Sequence, residues 1–214
     1  MGCLLKQGGG LHPRLRIGAV LLAASAGDTA RGLPAGLLRL QGVSLIRRQL
    51  VGLSGAGVDE VVIVTGEARA AVEEEIRPFS VRVAHDPRHG RPPESSIRTG
   101  LAHLDGPFDA VFILPGELAL VGTPDLVELI AAFKKRPAGH AVVPFVEGRA
   151  GAPILLDDLA QARMLEGELD PALVHRHETG NTRFVTRLQG EDDVAMLAGR
   201  SGWRLEWPEL EAAH

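Results

Sequence analysis

Hydrophobic residues along this chain alternate between short continuous runs and stretches in which they return every three or four positions. A short apolar run bounded by turn residues is typical of a buried strand, and the longer spacing is typical of a helix with one buried face. The predicted strands span residues 19–24, 60–65, 80–84, 110–114 and 141–145. The predicted helices span residues 43–53, 68–76, 95–104 and 124–133.

Polar residues near the ends of these helices predict where each one begins. Thr123 precedes Pro124 and is predicted to cap that helix, because proline is favoured at the first helical position. Ser95 or Ser96 is the predicted cap of the third helix. Asp157 is predicted to begin a further helix in the second half of the chain.

The alternation of strands with helices predicts a three-layer α/β/α fold. Strands joined by helices run parallel through right-handed crossovers, so we expect a mostly parallel central sheet of the Rossmann-like type. The pattern is less regular after Gly148, where we expect an antiparallel strand and a closing helix. The side chains expected to be buried in the sheet are those of Leu22, Val62, Ile63, Phe112, Ile113 and Val142.

Length and composition favour one globular domain. With 214 residues, 45% of them hydrophobic, we expect a single domain over residues 16–210 after a disordered lead-in at residues 1–15. The net charge of −4 and the lack of a long basic run argue against a nucleic-acid partner. Cys3, the one cysteine, excludes an internal disulfide, and no apolar run is long enough to span a membrane, so we expect a cytoplasmic protein.

The first predicted strand runs into a loop of small residues that contains one arginine. Gly27 and its small neighbours let this loop turn sharply and present backbone N–H groups to an anion, and Arg31 adds a permanent positive charge. This combination is typical of a site for a triphosphate or a diphosphate. The same residues are equally compatible with an ordinary connection after a strand.

Three loops are expected to meet at the carboxyl edge of the sheet, where ligands bind in open sheets of this kind. These loops are residues 25–34, 85–96 and 114–117. Because each loop has a structural alternative, a functional interpretation needs all three together.

The structural alternatives concern the polar residues of these loops. Asp86 can lie in a turn, Ser95 and Ser96 can serve as helix caps, and Glu117 can be a solvated turn carboxylate. Four histidines suggest a metal site, but their spacing lacks a companion cluster, so we expect ordinary exposed residues at His85, His89, His175 and His177.

Several segments carry longer patterns in a recognisable order. The segments are Leu22-Ala23-Ala24-Ser25, Pro34-Ala35-Gly36-Leu37-Leu38, Glu94-Ser95-Ser96-Ile97-Arg98-Thr99-Gly100-Leu101, Leu114-Pro115-Gly116-Glu117 and Gly148-Arg149-Ala150-Gly151-Ala152-Pro153. They resemble the motifs L-A-A-G, P-K-x-L-L, M-S-S-S-L-R-x-G-L, L-x-G-D and G-x-R-G-H-P of the MobA-like molybdenum cofactor nucleotidyltransferases, a branch of the nucleotide-diphospho-sugar transferase superfamily. The resemblance covers nearly all of the chain from Arg16 to Leu197.

The resemblance implies a nucleotidyltransferase that uses CTP or GTP, a molybdopterin-type phosphate acceptor and Mg²⁺. It implies nucleotide binding by Ala23, Ala24, Ser25, Gly27, Arg31, Asp86, Ser95 and Ser96. It also implies catalytic roles for Arg31 and Glu117, with Glu117 as the metal ligand. A protein partner among the maturation factors of molybdoenzymes is implied in the same way.

The chain departs from the family pattern at positions that carry the family's chemistry. Ala35 stands where the family motif has a lysine. This replacement removes a positive charge from a site that would hold the negative charges of a triphosphate. The metal-binding aspartate is Glu117, whose longer side chain changes the geometry offered to Mg²⁺. If Glu191-Asp192-Asp193 corresponds to the P-E-D of the family pattern, the second metal-binding aspartate falls near Gln189.

Two further departures lead to competing hypotheses. The motif glycine is Ser25, although Gly27 in a shifted register brings Arg31 into line with the motif arginine, and the motif histidine is Ala152. The leading hypothesis is a MobA-like nucleotidyltransferase with weakened or absent activity. The alternative is a non-catalytic homologue that binds nucleotide or cofactor, or acts as a partner subunit. A third hypothesis is a sugar-1-phosphate nucleotidyltransferase. The segment from Ser95 to Leu101 resembles the molybdenum cofactor branch more closely than that class.

Overall fold

The computed structural model describes residues 14–24, 33–86, 93–167, 171–188 and 191–208. The strands are β1 (Ile17–Ala23), β2 (Arg39–Leu40), β3 (Val43–Ser44), β4 (Glu60–Thr65), β5 (Arg82–His85), β6 (Ala110–Pro115), β7 (Ala141–Val146), β8 (Arg149–Ala150), β9 (Ile154–Leu156), β10 (Val174–Glu178) and β11 (Leu205–Glu206). The helices are α1 (Leu45–Gly55), α2 (Arg69–Ile76), α3 (Pro93–Ala102), α4 (Thr123–Lys135), α5 (Asp158–Glu166) and α6 (Glu191–Ser201). Short 3-10 turns lie at Ala35–Leu37, Pro171–Leu173 and Thr182–Val185.

The main sheet is built around β1, which lies between β4 and β6 and is parallel to both. Its strand order is β10-β7-β9-β6-β1-β4-β5. β9 runs antiparallel to β6 and β7, and β8 is antiparallel to β7, whereas the other neighbouring strands are parallel. β11, β2 and β3 form a small second sheet. The predictions of a mostly parallel sheet, an antiparallel strand after Gly148 and a late helix are confirmed.

The two faces of the main sheet bury alternate residues of the same strands, as the pleat of a strand requires. On one face, Ala19 and Leu21 pack in a cluster with side chains of α1, α2 and α4. On the other face, Val20 and Ile113 pack with side chains of α3 and α5. The prediction that Leu22 is buried is wrong, since this residue near the carboxyl end of β1 keeps part of its surface exposed.

The start of α4 differs from the prediction by one residue. Gly122 is the N-cap, and its N–H donates to the carboxylate of Asp125 at 2.8 Å. Thr123 is the first helical residue, and its hydroxyl donates to the carbonyl oxygen of Gly52 at 3.2 Å. The threonine therefore ties α4 to α1 instead of capping its own helix.

Two other helix starts follow from short side chains at the cap. α1 begins two residues later than predicted, because Val43–Ser44 pairs with β2 and Ser44 caps the helix. Asp157 caps α5 by accepting the N–H of Ala160 at 2.9 Å, which confirms that prediction. Across the described part of the chain, no helix has the length and apolar character needed to cross a membrane.

Candidate functional site

The carboxyl ends of β1, β4, β5 and β6 lie side by side at one edge of the main sheet, and two glycines bring their backbones close together. Gly66 follows β4, where an added Cβ would lie 2.5 Å from the carbonyl oxygen of Ala24. Gly116 follows β6, where an added Cβ would lie 2.7 Å from the carbonyl oxygen of Leu22. The N–H of Gly116 donates to that same oxygen at 2.9 Å. Any side chain at these positions would push the exit of β1 out of place.

The exit of β1 carries the first predicted nucleotide-binding residues. Ala23 ends the strand, Ala24 follows it, and both are buried. The loop residues Ser25, Gly27 and Arg31 lie outside the described residues. The structure therefore locates the beginning of the predicted phosphate loop at the carboxyl edge.

Asp86 directly follows β5 and lies against the first turn of α3. The Oδ2 atom of Asp86 accepts the hydroxyl of Ser95 at 2.6 Å and that of Ser96 at 2.9 Å. The Asp86 N–H donates to the carbonyl oxygen of Thr65 at 2.9 Å, and only 1% of Asp86 is exposed. The prediction that Ser95 or Ser96 caps α3 is wrong, because the helix begins at Pro93 and both hydroxyls donate to Asp86.

Glu117 follows Gly116 at the exit of β6, and an arginine from a distant part of the chain faces it. A guanidinium nitrogen of Arg187 lies 3.4 Å from Oε1 of Glu117, with side-chain exposures of 36% and 22% respectively. The N–H of Leu188 donates to the carbonyl oxygen of Glu117 at 2.9 Å. Sequence reasoning missed Arg187, whose one available signal was its place two residues before Gln189.

The loop that carries Glu117 is held from beneath by Gln49 of α1. Its buried side-chain amide nitrogen lies 3.0 Å from the carbonyl oxygens of Pro115 and Leu118, and 3.4 Å from that of Gly116. A single amide therefore fixes the backbone on both sides of Glu117. Sequence reasoning missed this residue too, since a glutamine within a helical pattern gives no sign of its partners.

Ala35 begins the 3-10 turn Ala35–Leu37 and is buried. The next residue, Gly36, lies so that an added Cβ would be 3.7 Å from the carbonyl oxygen of Gly116. Ala35, the residue that the motif resemblance aligns with the family lysine, is thus close to the loop of Glu117, and its side chain is an uncharged methyl group.

The described residues do not fit a tightly bound Mg²⁺. They contain no group of three histidine, cysteine, aspartate or glutamate side chains that could hold a metal ion. Glu117 has a guanidinium beside it, and Mg²⁺ requires near-ideal octahedral oxygen ligands. A single carboxylate next to a positive charge does not meet that requirement.

A polar network joins α4 to the segment that carries Arg187. The buried carboxylate of Asp125 accepts the side-chain amide of Asn181 at 2.6 Å and the guanidinium of Arg183 at 2.9 Å. Phe184 is fully buried in the main core, and its carbonyl oxygen accepts the N–H of Ala152 at 2.8 Å. These contacts fix the backbone that leads to Arg187.

The same network includes His177, one of the four histidines predicted to be ordinary exposed residues; the prediction of exposure is wrong for it, because its side chain is half-buried. Nε2 of His177 lies 2.8 Å from Oε1 of Glu128. Burial raises the pKa of Glu128, but hydrogen bonds from His177, Thr179 and Asn181, together with the charge on His177, outweigh it, so the pKa lies below its ordinary value. His177 therefore links β10 to α4 through its contact with Glu128.

A surface cavity of about 890 Å³ lies at the opposite edge of the sheet, near the amino end of β1. Its walls include Leu15, Ile17, Ile130 and Phe133. None of the predicted site residues lines it, so it lies apart from the candidate site.

Comparisons with known proteins agree with this architecture. A bifunctional protein GlmU from Syntrophomonas wolfei is 25% identical to the chain over 135 residues, which make up 60% of this chain and 28% of that protein. A nucleotidyl transferase from Methanothermobacter thermautotroptrophicus superposes with a TM-score of 0.71 at 21% identity, covering 86% of this chain and 97% of that one. A Mycobacterium tuberculosis protein in complex with manganese superposes with a TM-score of 0.65 at 20% identity, covering 86% and 97%.

These structural likenesses concern the fold alone: this chain has the Rossmann-like α/β/α fold that is also found in a nucleotidyl transferase. The decisive sequence comparison is a match of residues 19–194 to the MobA-like NTP transferase domain. The matched residues include every strand of the main sheet, apart from the first two residues of β1. The chain belongs to the family of MobA-like NTP transferase domains.

Proposed function

We propose that this chain binds a nucleoside triphosphate, CTP or GTP, at the carboxyl edge of its main sheet and transfers the nucleotidyl group slowly or not at all. In the full reaction a phosphate oxygen of a molybdopterin-type acceptor bonds to the α-phosphorus. The bond from that phosphorus to the bridging oxygen breaks, and pyrophosphate leaves. The rate of such a transfer depends on positive charge already in place around the phosphates.

The observation that carries this proposal is the uncharged Ala35 beside the Glu117 loop. The loss of one preorganised charge-stabilising group costs about 3–4 kcal/mol in the transition state, a factor of hundreds in rate. Binding of the nucleotide is less sensitive, because the phosphates also interact with backbone N–H groups and other cations. A nucleotide-binding protein with low turnover is therefore the function that we infer.

The first test separates binding from turnover. We expect CTP or GTP to raise the melting temperature of the full chain, since a ligand of the folded state stabilises it by linkage. We expect pyrophosphate release with a molybdopterin-type acceptor to be near the background rate. Rapid release by the unmodified protein would contradict the proposal, and a lack of response to any nucleotide would favour the partner-subunit alternative.

The second test restores the missing charge. Ala35→Lys, alone and with Glu117→Asp, should tighten nucleotide binding or raise the rate of pyrophosphate release. Ala131→Lys is the matched control, because it adds the same charge at an exposed position on α4. Equal effects of the two lysines would show that net charge, and not the position of Ala35, limits the protein.

A further inference from the structure

Arg187 is held opposite Glu117 by the backbone on both sides of the pair. Leu118 and Arg187 form an isolated antiparallel bridge, and the Leu188 N–H donates to the carbonyl oxygen of Glu117. Leu118 and Leu188 are both buried, so the bridge is packed into the protein on one side. The Arg187 side chain therefore starts from a fixed point next to Glu117.

The segment before Arg187 is equally well anchored. Asn181 and Arg183 both donate to the buried carboxylate of Asp125, and Phe184 fills a place in the main core. An arginine on such a backbone loses little entropy when it binds an anion, because only its side chain has to be ordered. Its guanidinium also carries several N–H donors that suit phosphate oxygens.

We propose that the guanidinium of Arg187 takes the place beside Glu117 that a divalent cation would otherwise have, and that it binds a phosphate oxygen of the ligand. The Oε1 atom of Glu117 lies 3.4 Å from the guanidinium nitrogen. A Mg²⁺ ion about 2.1 Å from that oxygen would lie within about 6 Å of this nitrogen, and the two positive charges would repel each other. The phosphate contact rests on the proposed nucleotide binding, whereas the choice of cation at Glu117 does not.

The choice of cation is tested with Mn²⁺ alone, titrated into the full chain and followed by electron paramagnetic resonance. We expect no Glu117-dependent binding in the unmodified protein. Arg187→Asp removes the competing charge and supplies a second carboxylate, so its affinity for Mn²⁺ should rise about tenfold or more. Adding Glu117→Gln to that variant should abolish the gain.

A second variant keeps this test decisive if Arg187→Asp does not fold. Arg187→Gln removes the positive charge without adding a negative one, and a smaller gain in Mn²⁺ affinity is expected. Binding of Mn²⁺ to the unmodified protein that Glu117→Gln removes would overturn the proposal, and so would a lack of any gain in a folded Arg187 variant.

The phosphate contact is tested with CTP, GTP and inorganic tripolyphosphate in the presence of EDTA. Arg187→Met should weaken binding about tenfold or more, the effect of losing a charge-assisted hydrogen bond. Arg204→Met, which removes an exposed arginine paired with Glu206, is the control and should change the affinity less than about twofold. Equal affinities of both variants would overturn the phosphate contact.

The two proposals can fail separately in this experiment. If neither nucleotide nor tripolyphosphate binds the unmodified protein, the proposed function and the phosphate contact both fall, and the Mn²⁺ titration still decides which cation faces Glu117. If nucleotide binds only with a divalent cation and Arg187→Met has no effect, the proposed function stands and the role of Arg187 is wrong.

Discussion

Asp86 and Glu117 are two carboxylates at the same edge of one sheet, and they are satisfied in opposite ways. Asp86 is almost fully buried and accepts two serine hydroxyls from the first turn of α3. Glu117 is partly exposed and faces the guanidinium of Arg187 across 3.4 Å. A buried carboxylate bonded to a neighbouring helix contributes to stability, whereas a partly exposed ion pair can exchange its partner for a ligand. Removing the first should affect stability and removing the second should affect binding.

The largest effect on stability is expected for Asp86→Ala. The substitution removes the acceptor of the buried Ser95 hydroxyl and of the partly buried Ser96 hydroxyl, which should lower the free energy of unfolding by about 2–4 kcal/mol. Urea denaturation measures this loss. Asp105→Ala is the control, since that exposed aspartate pairs with Arg82 at the surface. If both variants lose a similar amount of unfolding free energy, the burial of Asp86 does not add to the stability that its hydrogen bonds provide.

A smaller loss, which also reaches Glu117, is expected for Gln49→Met. This change keeps the volume of the side chain but removes the amide that bonds the carbonyls around Glu117, at a cost of about 1–3 kcal/mol. Nucleotide affinity should fall as well, because the Glu117 loop loses its support. Gln161→Met is the matched control, because the amide nitrogen of this partly buried glutamine makes only a long contact of 3.5 Å with the carbonyl oxygen of Phe108. If Gln49→Met lowers the stability but leaves the nucleotide affinity unchanged, the Glu117 loop does not take part in nucleotide binding.

A still smaller effect is expected for Glu128→Gln, which loosens β10 near the anchored segment before Arg187. Because the folded-state pKa of Glu128 is lowered, its charge stabilises the fold above its unfolded-state pKa, and this contribution is lost as the pH falls through the folded-state value. The variant should therefore be less stable by about 1 kcal/mol or less at neutral pH, and equal to the unmodified protein in acid. Thermal unfolding across the acid range measures the convergence. The control is Glu178→Gln, which removes an exposed carboxylate paired with Arg176 on the same strand and should change the stability less at neutral pH.

The smallest change in stability is expected for Glu117→Gln. Partly exposed ion pairs contribute little, so the free energy of unfolding should change by less than about 0.5–1 kcal/mol. Urea denaturation side by side with Asp86→Ala makes the comparison direct. A loss as large as that of Asp86→Ala would mean that both carboxylates belong to the framework.

The sequence predicted the central strands well because burial on both faces leaves a plain signal. β4 has the predicted bounds, and β6 extends one residue further than predicted. The cap at Thr123 was wrong because its hydroxyl has a partner in α1, which is a tertiary contact. Propensity describes what a residue does locally, and such a contact overrides it.

The candidate site divides in the same manner. Asp86, Ser95 and Ser96 are close in sequence, and the prediction that residues 85–96 contribute to one place is consistent with their hydrogen bonds. Arg187 is 70 residues away from Glu117, and no spacing rule links them. The pair exists only because the chain returns to the edge of β6 after β10, so it could not be read from local pattern.

The position of β9 has a consequence for the newly made chain. β6 and β7 are not neighbours, since β9 occupies the space between them and pairs with both. A nascent chain that has reached Gly151 therefore presents two strand edges, one on each side of a gap of one strand's width, and neither can close the gap for the other. Exposed edges of this kind pair with other chains. During translation, Ile154–Leu156 close this gap, whereas the other edge of β7 stays open until Val174–Glu178 is added as β10.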